Sequence, residues 1–222
     1  HSSLTFFPAA RRVRRPGTPW KHGVFLRNMR EFILASASPR RKTLLEELGA
    51  SFTVAPADID ERAIAAPTPD ETVKKLALAK AGRVFGAVNG HMCGRADEPR
   101  AVLGADSVVV LDGEILGKPK DGADAVRMLR ALSGRRHEVK TGIAFLTGGK
   151  TYSECVTTEV FLDELSESFI AAYVATGSPL DKAGAYGIQD GVPVREIKGS
   201  YSNVVGLPAE RVAEILRAER FL

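Results

Sequence analysis

The sequence predicts a mixed α/β fold built on one sheet, and three observations lead to this class. Short apolar or alternating runs alternate with helical patterns through the first 85 residues. Two strand-like runs, at 137–145 and 154–162, then follow one another around Gly148 and Gly149, as in an antiparallel pair. No run approaches the roughly 20 apolar residues that a membrane-spanning helix needs. This combination is typical of a globular protein with a mixed sheet.

The composition indicates one domain or two tightly joined lobes. Of the 222 residues, 44% are hydrophobic and 26% are charged, which is ordinary for a globular protein. The two cysteines, Cys93 and Cys155, have neither metal-type spacing nor the density of a disulfide framework. A reducing compartment is therefore predicted, and the cytoplasm is the simplest choice.

The net charge of +4 is unevenly distributed. Residues 1–28 hold six basic side chains and no acidic one, so residues 29–222 together carry −2. We interpret 1–28 as a basic N-terminal extension and 29–222 as the folded domain. The extension is compatible with a poorly ordered terminus or with an Arg-rich organelle-targeting segment. The negative body argues against a nucleic-acid-binding function.

The stretch 33–49 predicts a strand, a serine turn and a helix. Ser36 and Ser38 follow the apolar run, Ser38 is a favourable N-cap, and Pro39 suits the first helical position. Arg40 and Arg41 then lie in the first turn, where the helix dipole disfavours cations. Free amide N–H groups, two hydroxyls and two guanidinium groups would together bind a phosphate chain. The alternative is an ordinary capped helix with solvated arginines.

Periodicity and turn signals predict the remaining elements in order. Residues 86–100 lack periodicity and predict a surface loop, in which His91 and Cys93 alone make a weak metal-binding pair. The other predicted elements are a strand at 51–54, a helix at 72–85 opened by Thr68 with Lys80 near its end, a strand at 101–111, a turn at 112–113, helices at 121–132 and 166–176, a glycine-rich irregular segment at 182–191 and a terminal helix at 209–217.

Asp106 is the sharpest anomaly in the sequence. It interrupts the otherwise apolar strand 101–111. Burying a carboxylate costs several kcal/mol unless it is paired with a cation or bound to a metal. The sequence leaves both explanations open.

Five ordered motifs resemble those of the Maf family of nucleoside triphosphate pyrophosphatases, which are related in fold to the inosine triphosphate pyrophosphatases. The resemblance covers about residues 31–217. It implies an elongated, two-lobed mixed sheet with a central cleft, often as a homodimer. The motifs are Ser36-Ala37-Ser38-Pro39-Arg40-Arg41, Gly104-Ala105-Asp106-Ser107, Gly117-Lys118-Pro119, Ala183-Gly184-Ala185-Tyr186-Gly187-Ile188-Gln189 and Asn203-Val204-Val205-Gly206-Leu207-Pro208.

The resemblance also implies an activity and its residues. A nucleoside triphosphate would be hydrolysed to the monophosphate and pyrophosphate with Mg²⁺ or Mn²⁺. Asp106 corresponds to the family's proton acceptor, and Glu61 and Asp106 would hold the metal. Only the motif context distinguishes Glu61 from an exposed loop acid and Lys80 from a solvated lysine. The implied catalytic and phosphate-binding set is Ser38, Arg41, Glu61, Lys80, Asp106 and Lys118.

Within the family, the residues resemble the pyrimidine type, which prefers dTTP and UTP. Arg40, the hydroxyl of Ser107 and Gln189 match that type, whereas the 7-methyl-GTP type has a bulky aromatic residue at the position of Arg40. Gln189 offers a donor and an acceptor that suit the edge of thymine or uracil. Ser107 replaces the usual Thr, and Asp190 stands where Gly is common. We therefore expect Ser36, Ser38, Arg40, Arg41, Ser107 and Gln189 to bind substrate.

Two other functions stay open at this stage. The family name derives from septum-formation arrest, so a regulatory protein that inhibits cell division through a binding partner is one alternative. A pyrophosphatase for modified purine nucleotides is the other. The buried Asp106 and the basic phosphate cluster favour an enzyme.

Overall fold

The computed structural model describes residues 30–64, 66–90 and 100–222. Seven strands form one sheet: β1 (Phe32–Leu34), β2 (Phe52–Val54), β3 (Ala101–Leu111), β4 (Glu114–Leu116), β5 (Arg136–Leu146), β6 (Thr151–Leu162) and β7 (Val194–Lys198). Six α-helices accompany them: α1 (Pro39–Glu47), α2 (Pro69–Asn89), α3 (Gly122–Leu132), α4 (Glu167–Ala175), α5 (Tyr201–Val205) and α6 (Ala209–Ala218). The predicted mixed α/β class is confirmed.

The sheet is parallel at one side and antiparallel at the other. Its order is β2-β1-β3-β5-β6-β7, and β4 pairs with β3 outside this path. β1 runs parallel to both β2 and β3, while β3, β5, β6 and β7 form an antiparallel series. The three long strands β3, β5 and β6 therefore cross the whole molecule and belong to both lobes.

Each face of β3 is apolar at both ends and polar in the middle. On one face, Ala101, Leu103 and Ala105 pack with α6, and Val109 and Leu111 pack with α3 and α4. Ser107 and its cross-strand partner Thr141 lie between these two clusters. On the other face, Asp106 separates the apolar residues at 102 from those at 108 and 110. The two lobes meet at this polar interruption.

Helix α2 lies unusually close to the sheet because two glycines face it. A Cβ at Gly104 would come within 2.3 Å of the carbonyl oxygen of Ala77. A Cβ at Gly142, which lies opposite Asp106 in the ladder, would come within 2.1 Å of the carbonyl oxygen of Val73. Since real Cβ atoms do not approach so closely, only glycine permits this packing. The close approach brings the side chains of α2 to Asp106.

The structure differs from the sequence prediction around α2. The helix runs to Asn89, so the first four residues of the loop predicted at 86–100 are helical. Val84 and Val88 continue the apolar stripe onto the core, and this packing offsets the low helix propensity of Gly86. Lys80 consequently lies in the middle of the helix rather than near its end. Residues 91–99, with the His91 and Cys93 pair, lie outside the described residues.

Two elements near the C-terminus were not predicted. β7 pairs with β6 at the edge of the sheet, and its residues are mostly half-buried or exposed, so they lack the alternation of an interior strand. The five-residue helix α5 begins after Ser200, whose hydroxyl accepts a hydrogen bond from the N–H of Asn203. The irregular segment at 182–191 is confirmed, and it contains two short 3₁₀ turns.

Candidate active site

The candidate site lies on the edge of β3 that faces away from β5. β1 pairs with residues 101–103 of this edge and β4 pairs with residues 109–111, so in the described chain no strand pairs with residues 104–108 there. The chain leaving β1 and the chain leaving β4 therefore approach this gap from opposite ends. They carry the serine turn at 36–38 and Lys118, respectively. Loops that follow strand ends commonly form binding sites in α/β proteins.

Lys80 joins two carboxylates at this gap. Its Nζ donates to Oδ1 of Asp106 at 2.6 Å and lies 2.8 Å from Oε1 of Glu61. Asp106 and Lys80 are only 8% and 9% exposed, whereas the side chain of Glu61 is 55% exposed. Of the two explanations for Asp106, cation pairing is therefore the one that the structure contains. Lys80 and Asp106 are thus inside the protein, whereas Glu61 is open to the cleft.

The donor set at Lys80 fits one particular kind of metal site. Within residues 30–64, 66–90 and 100–222, no group of three or more His, Cys, Asp or Glu side chains is arranged to hold a metal ion. Glu61 and Asp106 nevertheless converge on a single cation, the Lys80 ammonium, from two sides. Mg²⁺ is commonly bound by one or two carboxylates together with substrate phosphates. Two carboxylates that already share a cation fit that mode of binding. The described residues do not form a metal site that is closed by protein ligands alone.

Arg41 is held on the opposite face of β3. Its Nε donates to the carbonyl oxygen of Gly206 at 2.8 Å, its Nη1 donates to Ser36 Oγ at 3.0 Å, and its Nη2 donates to Ser107 Oγ at 3.1 Å. Burial lowers the pKa of the Arg41 guanidinium, while the nearby Asp106 carboxylate acts to raise it. Three of its five N–H donors are thus used by the protein. Arg41 ties α1, the serine turn and β3 together.

Arg40 and Ser38 lie at the N-terminus of α1, where the chain leaving β1 approaches the gap. Ser38 is the N-cap of α1 as predicted, but its hydroxyl makes no capping hydrogen bond. Arg40 lies at the first turn of the same helix and is a third exposed, with Nη1 3.5 Å from Oδ2 of Asp181. Asp181 belongs to the 3₁₀ turn Ser178–Asp181 beside the glycine-rich segment. This weak ion pair links the two sides of the cleft.

Lys118 and Gln189 are exposed side chains on the rim of the cleft. Lys118 follows β4, and Gln189 lies in the 3₁₀ turn Ile188–Asp190. In the described part of the chain, neither makes an intramolecular hydrogen bond or ion pair. The structure therefore brings Lys80, Glu61 and Asp106 together, brings Ser36, Arg41 and Ser107 together, and leaves Arg40, Lys118, Ser38 and Gln189 around them.

Several supporting residues were missed by the sequence prediction. Ser107 Oγ shares a hydrogen bond of 2.8 Å with Thr141 Oγ1. The fully buried amide of Asn203 donates to the carbonyl oxygens of Val139 and Val156, both at 3.1 Å, which fixes the turn that presents Gly206 to Arg41. The motif at 203–208 was recognised but given no role. An Asn at the start of the apolar run Val204-Val205 is the sequence signal that could have indicated a structural role.

The fold and the cleft define a two-lobed α/β protein with cationic and acidic side chains converging on one gap in the sheet. A family model described as Maf-like protein matches residues 31–219, and the chain belongs to the Maf family. In the described residues, no helix combines the length and the apolar character that crossing a bilayer requires.

Three similar proteins share the name dTTP/UTP pyrophosphatase. The one from Geobacter sp. (strain M21) is 49% identical over 189 residues, which cover 83% of this chain and 93% of the relative. The one from Shewanella denitrificans is 47% identical over 194 residues, covering 84% and 95%. The one from Bacillus cytotoxicus is 46% identical over 191 residues, covering 85% and 95%.

Proposed function

We propose that this protein is a nucleoside triphosphate pyrophosphatase that hydrolyses dTTP, UTP and related pyrimidine nucleotides to the monophosphate and pyrophosphate. The names and high identity of its relatives support the substrate class. The observation that carries the chemistry is the Lys80-held pair of Asp106 and Glu61 at the gap in β3, beside the α1 N-terminus. Removal of such nucleotides from the cellular pool follows from this activity.

In this proposal, the cations of the cleft bind the triphosphate. Arg40, Lys118 and the N-terminus of α1 with Ser38 face the gap from two sides. A triphosphate brings several negative charges, and guanidinium, ammonium and helix N–H groups are its natural partners. Ser36, Arg41 and Ser107 form the wall behind them, and at most two N–H groups of Arg41 are left for substrate.

Asp106 is proposed to act as the general base. Its carboxylate accepts a proton from the water that attacks the α-phosphorus, and the bridging oxygen between the α- and β-phosphates leaves with pyrophosphate. Lys80 holds Asp106 in place through its 2.6 Å hydrogen bond. Glu61 and Asp106 would hold Mg²⁺ or Mn²⁺. A divalent ion bound there would neutralise phosphate charge and polarise the scissile bond.

We expect the products to identify the bond that breaks. Hydrolysis of dTTP in water enriched in ¹⁸O should place the label in thymidine monophosphate and leave pyrophosphate unlabelled, since water attacks the α-phosphorus. Mass spectrometry of both products measures this. Asp106→Asn protein purified in parallel controls for contaminating phosphatases. Release of dTDP and orthophosphate would contradict the proposal.

The division of the chain at residue 29 is also a proposal, as are the cytoplasmic location, the organelle-targeting alternative and the homodimer. We expect a protein that begins at Met29 to retain kcat and KM, because every residue assigned to the site lies between Ser36 and Gln189. Steady-state kinetics on both forms, with circular dichroism melting as the folding control, test this. A loss of turnover without a change in melting temperature would mean that residues 1–28 contribute to the site.

A further inference from the structure

Gln189 lies on a segment whose backbone is unusual. Between Lys182 and Gly191, two short 3₁₀ turns are joined by two extended residues, and Ala185 at the end of the first turn adopts φ +60° although it is not glycine. Such a conformation costs free energy and persists only where surrounding contacts enforce it. The contacts that enforce this one therefore determine where Gln189 stands.

One end of the segment is fixed to the sheet and to the Lys118 loop. Tyr186 is buried, and its hydroxyl lies 2.7 Å from Nε2 of His137 on β5. Burial lowers the pKa of His137 to about 4, so this pair is neutral at physiological pH. The N–H of Gly184 donates to the carbonyl oxygen of Gly117 at 3.0 Å, next to Lys118. The first half of the segment is thereby anchored independently of Gln189.

The second half, which carries Gln189, is held by the buried Tyr173 of α4. The Tyr173 hydroxyl accepts a hydrogen bond of 3.0 Å from the N–H of Gly187 and donates one of 2.6 Å to Oδ2 of Asp190. Gly187 and Asp190 are the residues that precede and follow the pair Ile188-Gln189. One hydroxyl therefore clamps both ends of the turn that presents Gln189.

Asp190 is further engaged by polar partners on its protein side. Ser178 Oγ donates to Asp190 Oδ2 at 2.8 Å, and Lys182 Nζ lies 3.5 Å from the same oxygen. Burial would raise the pKa of Asp190, but the hydrogen bonds from Tyr173 and Ser178 and the charge of Lys182 hold it below its ordinary value. Asp190 is consequently a charged acceptor directed towards α4, and its charge is compensated within the protein. The replacement of the common Gly by Asp190 therefore adds no uncompensated charge next to Gln189.

The geometry points to Tyr173 and Asp190 as positioning residues that set the specificity of the site by fixing the turn of Gln189, without contacting the reacting atoms. This inference rests on the proposed hydrolysis of pyrimidine nucleotides. A turn that is free to move would spread the amide of Gln189 over many positions, and ordering it at binding would cost affinity. The base would then be held less well, while the phosphates and Asp106 would be unaffected.

Tyr173→Phe tests the inference because it removes only the clamping hydroxyl. We expect KM for dTTP and UTP to rise about threefold to tenfold, the size of one or two hydrogen bonds, with kcat within about twofold. Tyr152→Phe is the matched control, since the Tyr152 hydroxyl also donates a hydrogen bond of 2.6 Å to a carboxylate. That carboxylate belongs to Glu219, which is far along the chain from the residues assigned to the cleft. The control should leave both constants unchanged. Asp190→Asn, which keeps an acceptor for Tyr173, should raise KM less than Asp190→Ala.

The Gln189→Ala background shows whether Tyr173 acts through Gln189. If it does, adding Tyr173→Phe to Gln189→Ala should raise KM little further. An undiminished effect of Tyr173→Phe in that background, or an unchanged KM in the single variant, would overturn the inference. Hydrogen exchange of the amides at 187–191 should accelerate in Tyr173→Phe and stay unchanged in Tyr152→Phe, whether or not any nucleotide is hydrolysed. A wild-type protein that fails to hydrolyse dTTP would instead refute the proposed function, and unchanged exchange would refute the clamp alone.

Discussion

Asp106→Asn is expected to lower turnover roughly 10²-fold or more, because it removes the charge of a general base while preserving its size. The same change should also destabilise the protein. The carboxylate is 2.6 Å from the buried Lys80, which would keep only its contact with the more exposed Glu61. Leaving a buried polar group unsatisfied costs about 1–3 kcal/mol, and more when the group is charged. Turnover and the thermal midpoint should therefore fall together.

A second variant separates the two effects. Asp106→Asn combined with Lys80→Met also removes the Lys80 charge, which the single change leaves buried without its closest partner. Replacing both members of a buried pair is often neutral for stability. We expect the double variant to recover most of the melting temperature and none of the turnover. Recovery of turnover together with stability would mean that Asp106 is structural and that the catalytic assignment is wrong. Denaturant unfolding and steady-state kinetics on the same preparations give the answer.

Among the glycines in the described residues, Gly142 should cause the largest loss of stability when it is replaced by alanine. The new Cβ would lie 2.1 Å from the carbonyl oxygen of Val73 and 2.3 Å from its carbonyl carbon. Both atoms are backbone, so the helix itself must move. Overpacking costs about 1–3 kcal/mol and occasionally more, and we expect the upper end here because no side chain can yield. Urea unfolding, compared with wild type, measures the loss.

The shift of α2 should also reduce activity. Lys80 reaches Asp106 only because the helix lies close to the sheet, so an outward movement lengthens their 2.6 Å hydrogen bond. Gly149→Ala is the control, because a Cβ at Gly149 has no heavy atom within 4 Å. It should leave stability and turnover unchanged. An unfolding free energy for Gly142→Ala equal to that of the control would refute the close-packing account of α2.

The sequence was sufficient to predict what depends on local pattern. The strand at 101–111 and its anomalous carboxylate were both predicted, because a charge within an apolar run is visible without a structure. The α1 N-cap at Ser38 followed from the same kind of local signal. The edge strand β7 could not be predicted in this way, because pairing with β6 holds it rather than burial of one face. Such pairing produces no periodic hydrophobic pattern in the sequence.

Contacts between distant residues were beyond prediction. The local pattern placed Arg41 in a phosphate-binding turn. In the structure its guanidinium also donates hydrogen bonds to Ser107 and Gly206, which are 66 and 165 residues away. Local pattern alone could not distinguish Lys80 from a solvated lysine, because glycines on two other elements, at 104 and 142, decide how close α2 comes to the sheet. Only the resemblance to a family singled out Lys80 in the sequence, and its part in the reaction stays a prediction.

The long strands set a limit on how this cleft can open. β3, β5 and β6 contain 11, 11 and 12 residues and run without a break through both lobes. At about 3.3 Å per residue, each is roughly 35 Å long. The lobes are consequently not rigid bodies joined by a hinge, since any relative rotation would have to twist a continuous hydrogen-bonded ladder. Substrate entry and product release then depend on the rim, where the exposed side chains of Lys118 and Gln189 and the weak Arg40–Asp181 pair can rearrange while the sheet and the clamped segment 182–191 keep their shape.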